Sequence, residues 1–166
     1  MAAVLAPTRG DDVLDHFRGR SHTPYEALAD LTTAAVFHEP ALATHRSLAA
    51  PDSTAYAYSF ARVSPGNQRS GMLAHHMAEL PYLFGPITPG DEYDPTYATI
   101  SDAIQHAWTE FARTGTPRTP AGTPWPPCQH TDPRLTEIKN TVRFRSLCPT
   151  PLTTLIHSAR PDTATR

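Results

Sequence analysis

Leu73-Ala74-His75-His76-Met77-Ala78-Glu79-Leu80-Pro81-Tyr82-Leu83-Phe84-Gly85 is the stretch on which the fold of this chain turns. It lies in a segment from Gly71 to Gly90 that Pro81, Pro86 and Pro89 punctuate, so the pattern predicts a long loop. Two adjacent imidazoles stand here, with a carboxylate three residues after the second. Neutral imidazole can accept a proton and return it near neutral pH, which suits a general base. The chain holds nine histidines, however, and a histidine in a polar loop needs no functional explanation. Metal binding by His75, His76 and Glu79 ranks low. Adjacent side chains point in different directions on most backbones, and nothing here has the His-x-x-x-His spacing of zinc enzymes.

Upstream of the loop the residue period is two. Ala55-Tyr56-Ala57-Tyr58-Ser59-Phe60 alternates small and aromatic residues, which predicts a strand with Tyr56, Tyr58 and Phe60 on one face. Ser64-Pro65-Gly66-Asn67 then reads as a turn. Downstream, Ile100, Ile104, Trp108 and Phe111 recur at helical steps and predict a helix from about Pro95 to Arg113, stopped by Gly115. Residues 116–134 contain Pro117, Pro120, Pro124, Pro126, Pro127 and Pro133 and read as an extended loop. Thr141–Arg145 reads as a short strand and Pro151–Ser158 as a final helix.

Nearer the start, Pro24–Leu31 reads as a helix with Thr23 as N-cap, Pro24 at the first position and Glu26 completing a capping box. A second helix follows Pro40, over Ala41–Ala49, and Pro51-Asp52 ends it. Residues 1–22 look polar and irregular, with Asp11, Asp12 and Asp15 clustered, and residues 160–166 look like a flexible tail.

The central stretch resembles the catalytic-histidine segment of the type-B carboxylesterases, the family of cholinesterases, liver carboxylesterases and bacterial para-nitrobenzyl esterases. There a histidine stands three residues before a glutamate, followed by Leu, often Pro, an aromatic, an aliphatic and Phe. Counting back from Glu79 aligns His76, not His75. Ala34-Ala35-Val36-Phe37-His38-Glu39-Pro40 resembles the family's helix-to-helix turn, and Tyr56–Phe60 the strand that delivers the histidine loop. Trp108-Thr109-Glu110-Phe111-Ala112-Arg113-Thr114-Gly115-Thr116-Pro117 resembles its Trp-x-x-Phe-Ala-x-x-Gly-x-Pro helix end, and Trp125-Pro126 the Trp-Pro that follows. The match runs from about residue 24 to residue 130. One departure stands out. Leu73 occupies a position where the family usually has glycine, and leucine resists the left-handed turn that glycine allows.

The resemblance implies an α/β fold, the carboxyl-terminal part of a doubly wound α/β-hydrolase sheet. Helices should dominate, with one or two strands in this chain and residues 1–166 forming a single segment. It implies His76 as the general base, with Glu79 supporting the loop. In α/β-hydrolases the chain order is serine, acid, histidine, so a segment beginning after the acid carries only the base. No Gly-x-Ser-x-Gly nucleophile elbow occurs; Gly19-Arg20-Ser21-His22-Thr23 lacks the second glycine. The expectation is an ester hydrolase's C-terminal portion that is inactive alone. Its partners would be an N-terminal esterase portion, a second copy through an unpaired strand edge, and a small ester once the site is completed. A non-catalytic binding module is the alternative.

Composition narrows the classes further. Hydrophobic residues make up 39% and mean hydropathy is −0.40, so the core should be thin for the length. A net charge of −2 gives no field for nucleic acid, and Arg143 and Arg145 alternate along a strand rather than forming a basic patch. No apolar run approaches the ~20 residues that span a bilayer, so no membrane association is expected. The spacing of Cys128 and Cys148 matches no metal motif or disulfide framework, which points to reduced thiols and a cytoplasmic protein. No cofactor is implied.

Overall fold

A computed structural model describes residues 6, 8–19, 23–48, 54–85, 90, 92–129 and 132–160. In chain order the elements are α1 (Gly10–Phe17), α2 (Pro24–Thr33), a π-helical turn (Ala34–His38), α3 (Glu39–Leu48), β1 (Ala57–Phe60), α4 (Pro65–Ser70), α5 (Leu80–Phe84), α6 (Tyr97–Thr114), β2 (Arg134–Ile138), β3 (Val142–Ser146) and α7 (Pro151–Ala159). The described residues of Thr54–Leu147 form one compact unit; those of Met1–Ser53 and Cys148–Arg166 form another.

The helical unit starts with a helix where the sequence looks irregular. Part of the stretch that reads as irregular, residues 1–22, is helix α1. Its Asp11 and Asp12 lie in the first turn, where carboxylates face the positive end of the helix dipole, and Val13 is fully buried. Helix α2 starts as its sequence predicts: the Thr23 hydroxyl accepts from Glu26 N and the Glu26 carboxylate accepts from Thr23 N, at 2.7 Å. Pro40 does not separate two helices. The π-helical turn joins α2 to α3 without a break, and its wider ring makes room for a proline that has no N–H to give to the preceding turn.

Leu31, Ala34 and Ala35 pack with Val13, Leu152 and Ile156 to form the apolar core of this unit. Glu39 is buried beside them with 1% of its surface exposed. Arg46 and His157 nitrogens lie 3.1 and 3.0 Å from its Oε1, and Arg160 Nη1 lies 2.8 Å from its Oε2. The carboxylate therefore ties α3 to α7. Ala49 and Pro51-Asp52, read from the sequence as the end of α3, fall outside the described residues, as do Arg20-Ser21-His22, Pro86, Pro89 and the tail beyond Arg160.

In the second unit the strands order β1-β2-β3. β1 runs parallel to β2 with Phe60 beside Ile138, and β2 runs antiparallel to β3 with Ile138 beside Val142. The sheet thus has three strands, against the one or two read from the sequence. β2, Arg134-Leu135-Thr136-Glu137-Ile138, places Thr136 and Ile138 in the core, with Glu137 on the opposite face. Its apolar signal is two residues long, too short to read as a strand beside so many prolines.

The aromatic face of β1 is as predicted. Tyr56 packs on Phe111, Tyr58 on Trp108 and Phe60 on Tyr82. Helix α6 presents Ile100, Ile104 and Ala107, each nearly or fully buried, with Trp108 at the margin and Phe111 half exposed. Each fully buried isoleucine contributes about 1.5–3 kcal/mol. Gly115 ends the helix in the left-handed conformation that its position suggested. Among its described residues the proline-rich loop carries an isolated bridge, Arg118 to Pro124, and it is tied down through Cys128 N to Ala55 O at 2.8 Å and Trp125 N to Pro117 O at 2.9 Å.

Candidate active site

The histidine loop hangs between two anchors. The upstream one begins where β1 ends. Arg62 is buried and donates to Asp94 at 2.6 Å and to the Asn140 side chain, which fixes the chain beside the β2–β3 turn. Ser64-Pro65-Gly66-Asn67, read as a turn, is the start of helix α4: the Ser64 hydroxyl caps it by accepting from Asn67 N at 3.1 Å. Gly71 closes α4 in the left-handed region.

The downstream anchor is helix α5, inside the segment read as pure loop. Pro81 sits in its first turn, where the absent N–H costs nothing. Tyr82 is 2% exposed and packs with Ile100, Ile104 and Trp125, while its carbonyl accepts from the Ser101 hydroxyl at 2.6 Å and from Gln105 Nε2 at 3.2 Å.

Between the anchors the backbone is strained. Leu73 has φ 53° and Met77 φ 71°, and neither is glycine. Left-handed geometry at such residues costs on the order of 1–3 kcal/mol each and persists where surrounding structure enforces it. The two positions bracket His76. Leu73 thus adopts the left-handed backbone that a glycine would take freely. Leu73 N donates to Asn67 O, Ala78 N to His75 O and Leu80 N to Met77 O, closing the loop into tight turns.

Three sequence candidates stand here. His76 is exposed. His75 is half-buried, and its Nδ1 lies 2.7 Å from the His76 carbonyl oxygen, which turns that ring onto the backbone. Glu79 is half-buried; its backbone carbonyl accepts from Tyr82 N and Leu83 N at the head of α5, and its Oε1 accepts from the Tyr58 hydroxyl at 3.4 Å. Burial, and then the facing Glu79 carboxylate, push the Tyr58 phenol above its ordinary range. Tyr58 is absent from the sequence-derived candidates. The alternating pattern shows which face it occupies, but nothing in it signals a partner twenty-one residues away.

Among the described residues no three His, Cys, Asp or Glu side chains are placed to hold a metal ion. The serines near the loop serve as structural donors and acceptors: Ser64 caps α4, Ser70 donates to Asn67 O and Ser101 to Tyr82 O. What this arrangement offers chemically is an exposed imidazole on a braced turn whose neighbours in sequence, Met72, Leu73 and Met77, also expose apolar side chains.

Comparison with known proteins gives a consistent picture. A model of the carboxylesterase family matches residues 10–151. Among solved structures, a Geobacillus stearothermophilus carboxylesterase is similar at 20% identity and a TM-score of 0.65, over 90% of this chain and 31% of that one. A thermophilic PNB esterase is similar at 21% identity and a TM-score of 0.69, and another PNB esterase at 22% and 0.68, each over 93% of this chain and 32% of its own. The fold is that of a partial α/β-hydrolase, and this chain spans about a third of the length of those esterases.

Proposed function

Since the chain belongs to the carboxylesterase family, we propose that it is the base-bearing, carboxyl-terminal part of a carboxylic-ester hydrolase. His76 acts as the general base, and the serine nucleophile and the acid come from residues outside this sequence. The observation that carries the reading is the exposed His76 on a turn held in left-handed geometry at Leu73 and Met77. In the completed enzyme the imidazole takes the serine proton as the hydroxyl attacks the ester carbonyl, then returns it to the departing alkoxide. The Glu79 carboxylate is engaged by Tyr58, which supports a bracing role for it rather than that of triad acid.

The outer edge of β1 has no strand partner among the described residues, and a neighbouring strand from the rest of an esterase fits there. Without it, that edge favours self-association. The setting we propose is cytoplasmic, in keeping with two free thiols, Cys128 and Cys148; no described helix is long and apolar enough to cross a membrane.

The test is to join the chain to the preceding part of a related esterase and measure hydrolysis of p-nitrophenyl acetate. The chain alone is expected to show none above a His76→Ala background. In the joined protein His76→Ala should cost several orders of magnitude in kcat, as loss of a triad base does, and His75→Ala far less. Reversed effects move the base to His75. A folded joined protein that is inactive whatever its histidines favours the binding-module alternative.

A further inference from the structure

We infer that Tyr58 is a positioning residue for His76, holding the strained loop to the sheet through the side chain of Glu79; this rests on the reading of His76 as the base. The tether starts from a rigid point. Tyr58 lies within β1, and its ring meets Trp108 of α6 edge-on, centroids 4.9 Å apart at 78°, while Trp108 meets Trp125 in the same way at 5.7 Å. These contacts orient the phenol, and its hydroxyl then reaches Glu79 Oε1 at 3.4 Å.

Glu79 passes that restraint on in two directions. Toward the C-terminus its carbonyl receives the first N–H groups of α5, at 3.0 Å from Tyr82 and 3.1 Å from Leu83. Toward the N-terminus it stands two residues from Met77, whose left-handed backbone is one of the two strained points that bracket His76. Strained turns relax unless something over-determines them. The upstream end is already held, by Leu73 N on Asn67 O. The downstream end is held by backbone bonds within the loop and α5, and the Tyr58–Glu79 contact adds a side-chain link from this stretch to the sheet. The charged group facing Tyr58 is Glu79, from the loop; from α6 the neighbour is the uncharged indole of Trp108. A phenol is protonated at neutral pH, and burial and that carboxylate push its ionisation higher still, so it is the donor that such a tether needs.

The test is made by NMR on the chain as it stands. Tyr58→Phe keeps the ring on Trp108 and removes only the hydroxyl. Amide exchange at Ala78 and Leu80, whose N–H groups close the turns around His76, is expected to quicken roughly three- to tenfold, the worth of one net hydrogen bond, while Ile104 and Ile138 stay unchanged. A role confined to core packing would not move a second readout. In the native chain the carbon-bound ring protons of His76 should show an inflection as Tyr58 ionises above about pH 10, and Tyr58→Phe should lack it. Glu79→Gln provides the independent variant: it keeps an acceptor for the hydroxyl and should preserve most of the protection at Ala78. Unchanged exchange at the loop in Tyr58→Phe, or an inflection that survives in it, overturns the inference. So does protection lost equally at Ile104, which would make Tyr58 a core residue only. Failure of the joined esterase would strike the reading of His76 and leave the exchange result standing, so the two claims fall separately.

Discussion

In the unit built from α1, α2, α3 and α7, the most deeply buried charged group is the carboxylate of Glu39, met by Arg46, His157 and Arg160 from two helices. In the unit that holds β1, β2, β3 and α6, the corresponding place is taken by rings: Tyr56 on Phe111, Tyr58 on Trp108, Phe60 on Tyr82, Tyr82 on Tyr93. Both solutions answer the same shortage. A chain with 39% hydrophobic residues has few aliphatic side chains to share between two cores, and each unit supplements them. The ion cluster depends on every partner being present, since a charge left alone in a protein interior is costly. The ring cluster loses area in proportion to what is removed. The downstream anchor of the histidine loop, Tyr82, belongs to the ring cluster, while its upstream anchor is the ion pair of the buried Arg62 with Asp94.

Tyr82→Ala should break this contrast most severely. The ring is almost fully buried, touches both Phe60 and Tyr93, and its backbone carbonyl is where α6 grips the loop. A loss of about 3–5 kcal/mol is expected. Both tryptophans, Trp108 and Trp125, lie in this unit, so the fluorescence-detected denaturant midpoint should fall first and furthest. Next in size is Glu39→Gln, which leaves Arg46 and Arg160 facing an uncharged group. Because both arginines are partly exposed and stay solvated, the cost should fall below that of a stranded buried charge, about 1–2 kcal/mol. It should appear in the helical circular dichroism rather than in the fluorescence, and should shrink in molar salt, whereas the Tyr82→Ala loss should not. Equal salt dependence of the two would erase the distinction between the units.

Acid provides a smaller and more local contrast. The Thr96 hydroxyl bond, and then the Arg62 guanidinium, hold the Asp94 carboxyl below the usual carboxylate range. A depressed value means that the folded state binds this proton less readily than the unfolded state does. The stabilisation is therefore present above the ordinary carboxylate pKa of about 4 and is lost as pH falls through the lower folded value. Since Arg62 fixes the chain just upstream of the loop, Asp94→Asn should flatten the fluorescence-detected stability profile below pH 4 while leaving the profile above it parallel to that of the native chain.

Much of this architecture is legible in the sequence because it is written locally. The Thr23–Glu26 capping box, the alternating aromatics of β1, the apolar spacing of α6 and the glycine at its end each need only a few neighbouring residues to interpret, and the structure agrees with each. What escaped was non-local. β2 is a strand because β1 and β3 flank it, with little intrinsic signal of its own. Acidic residues disguised α1 as a loop, although they lie where a helix start favours them. The Glu39 cluster joins residues more than a hundred positions apart, and Tyr58 reaches Glu79 across the whole of α4. At the candidate site the histidines and Glu79 were visible by resemblance, while what holds them was not.

Leu73 gives the smallest expected effect and the finest test of how the loop is held. Its φ of 53° lies where an L side chain crowds the following carbonyl, a cost of about 1–2 kcal/mol that glycine escapes. Leu73→Gly forfeits little burial, because the side chain is 52% exposed. Against the relief stands the extra freedom glycine gives the unfolded chain, about 0.5–1 kcal/mol. The balance is a gain of about 0.5–1 kcal/mol, visible as a rise in the fluorescence midpoint and absent from the helical unit. If the variant instead loses stability, the anchors are not imposing the left-handed geometry on an unwilling residue; leucine must then make contacts that offset its strain. Met77→Gly supplies the matched comparison on the other side of His76. Tyr58 braces that side, so removing the strain there should make the loop less sensitive to Tyr58→Phe, whereas Leu73→Gly should leave that sensitivity as it is. The two glycine variants thus separate the upstream anchor from the downstream one by which of them still needs the tyrosine.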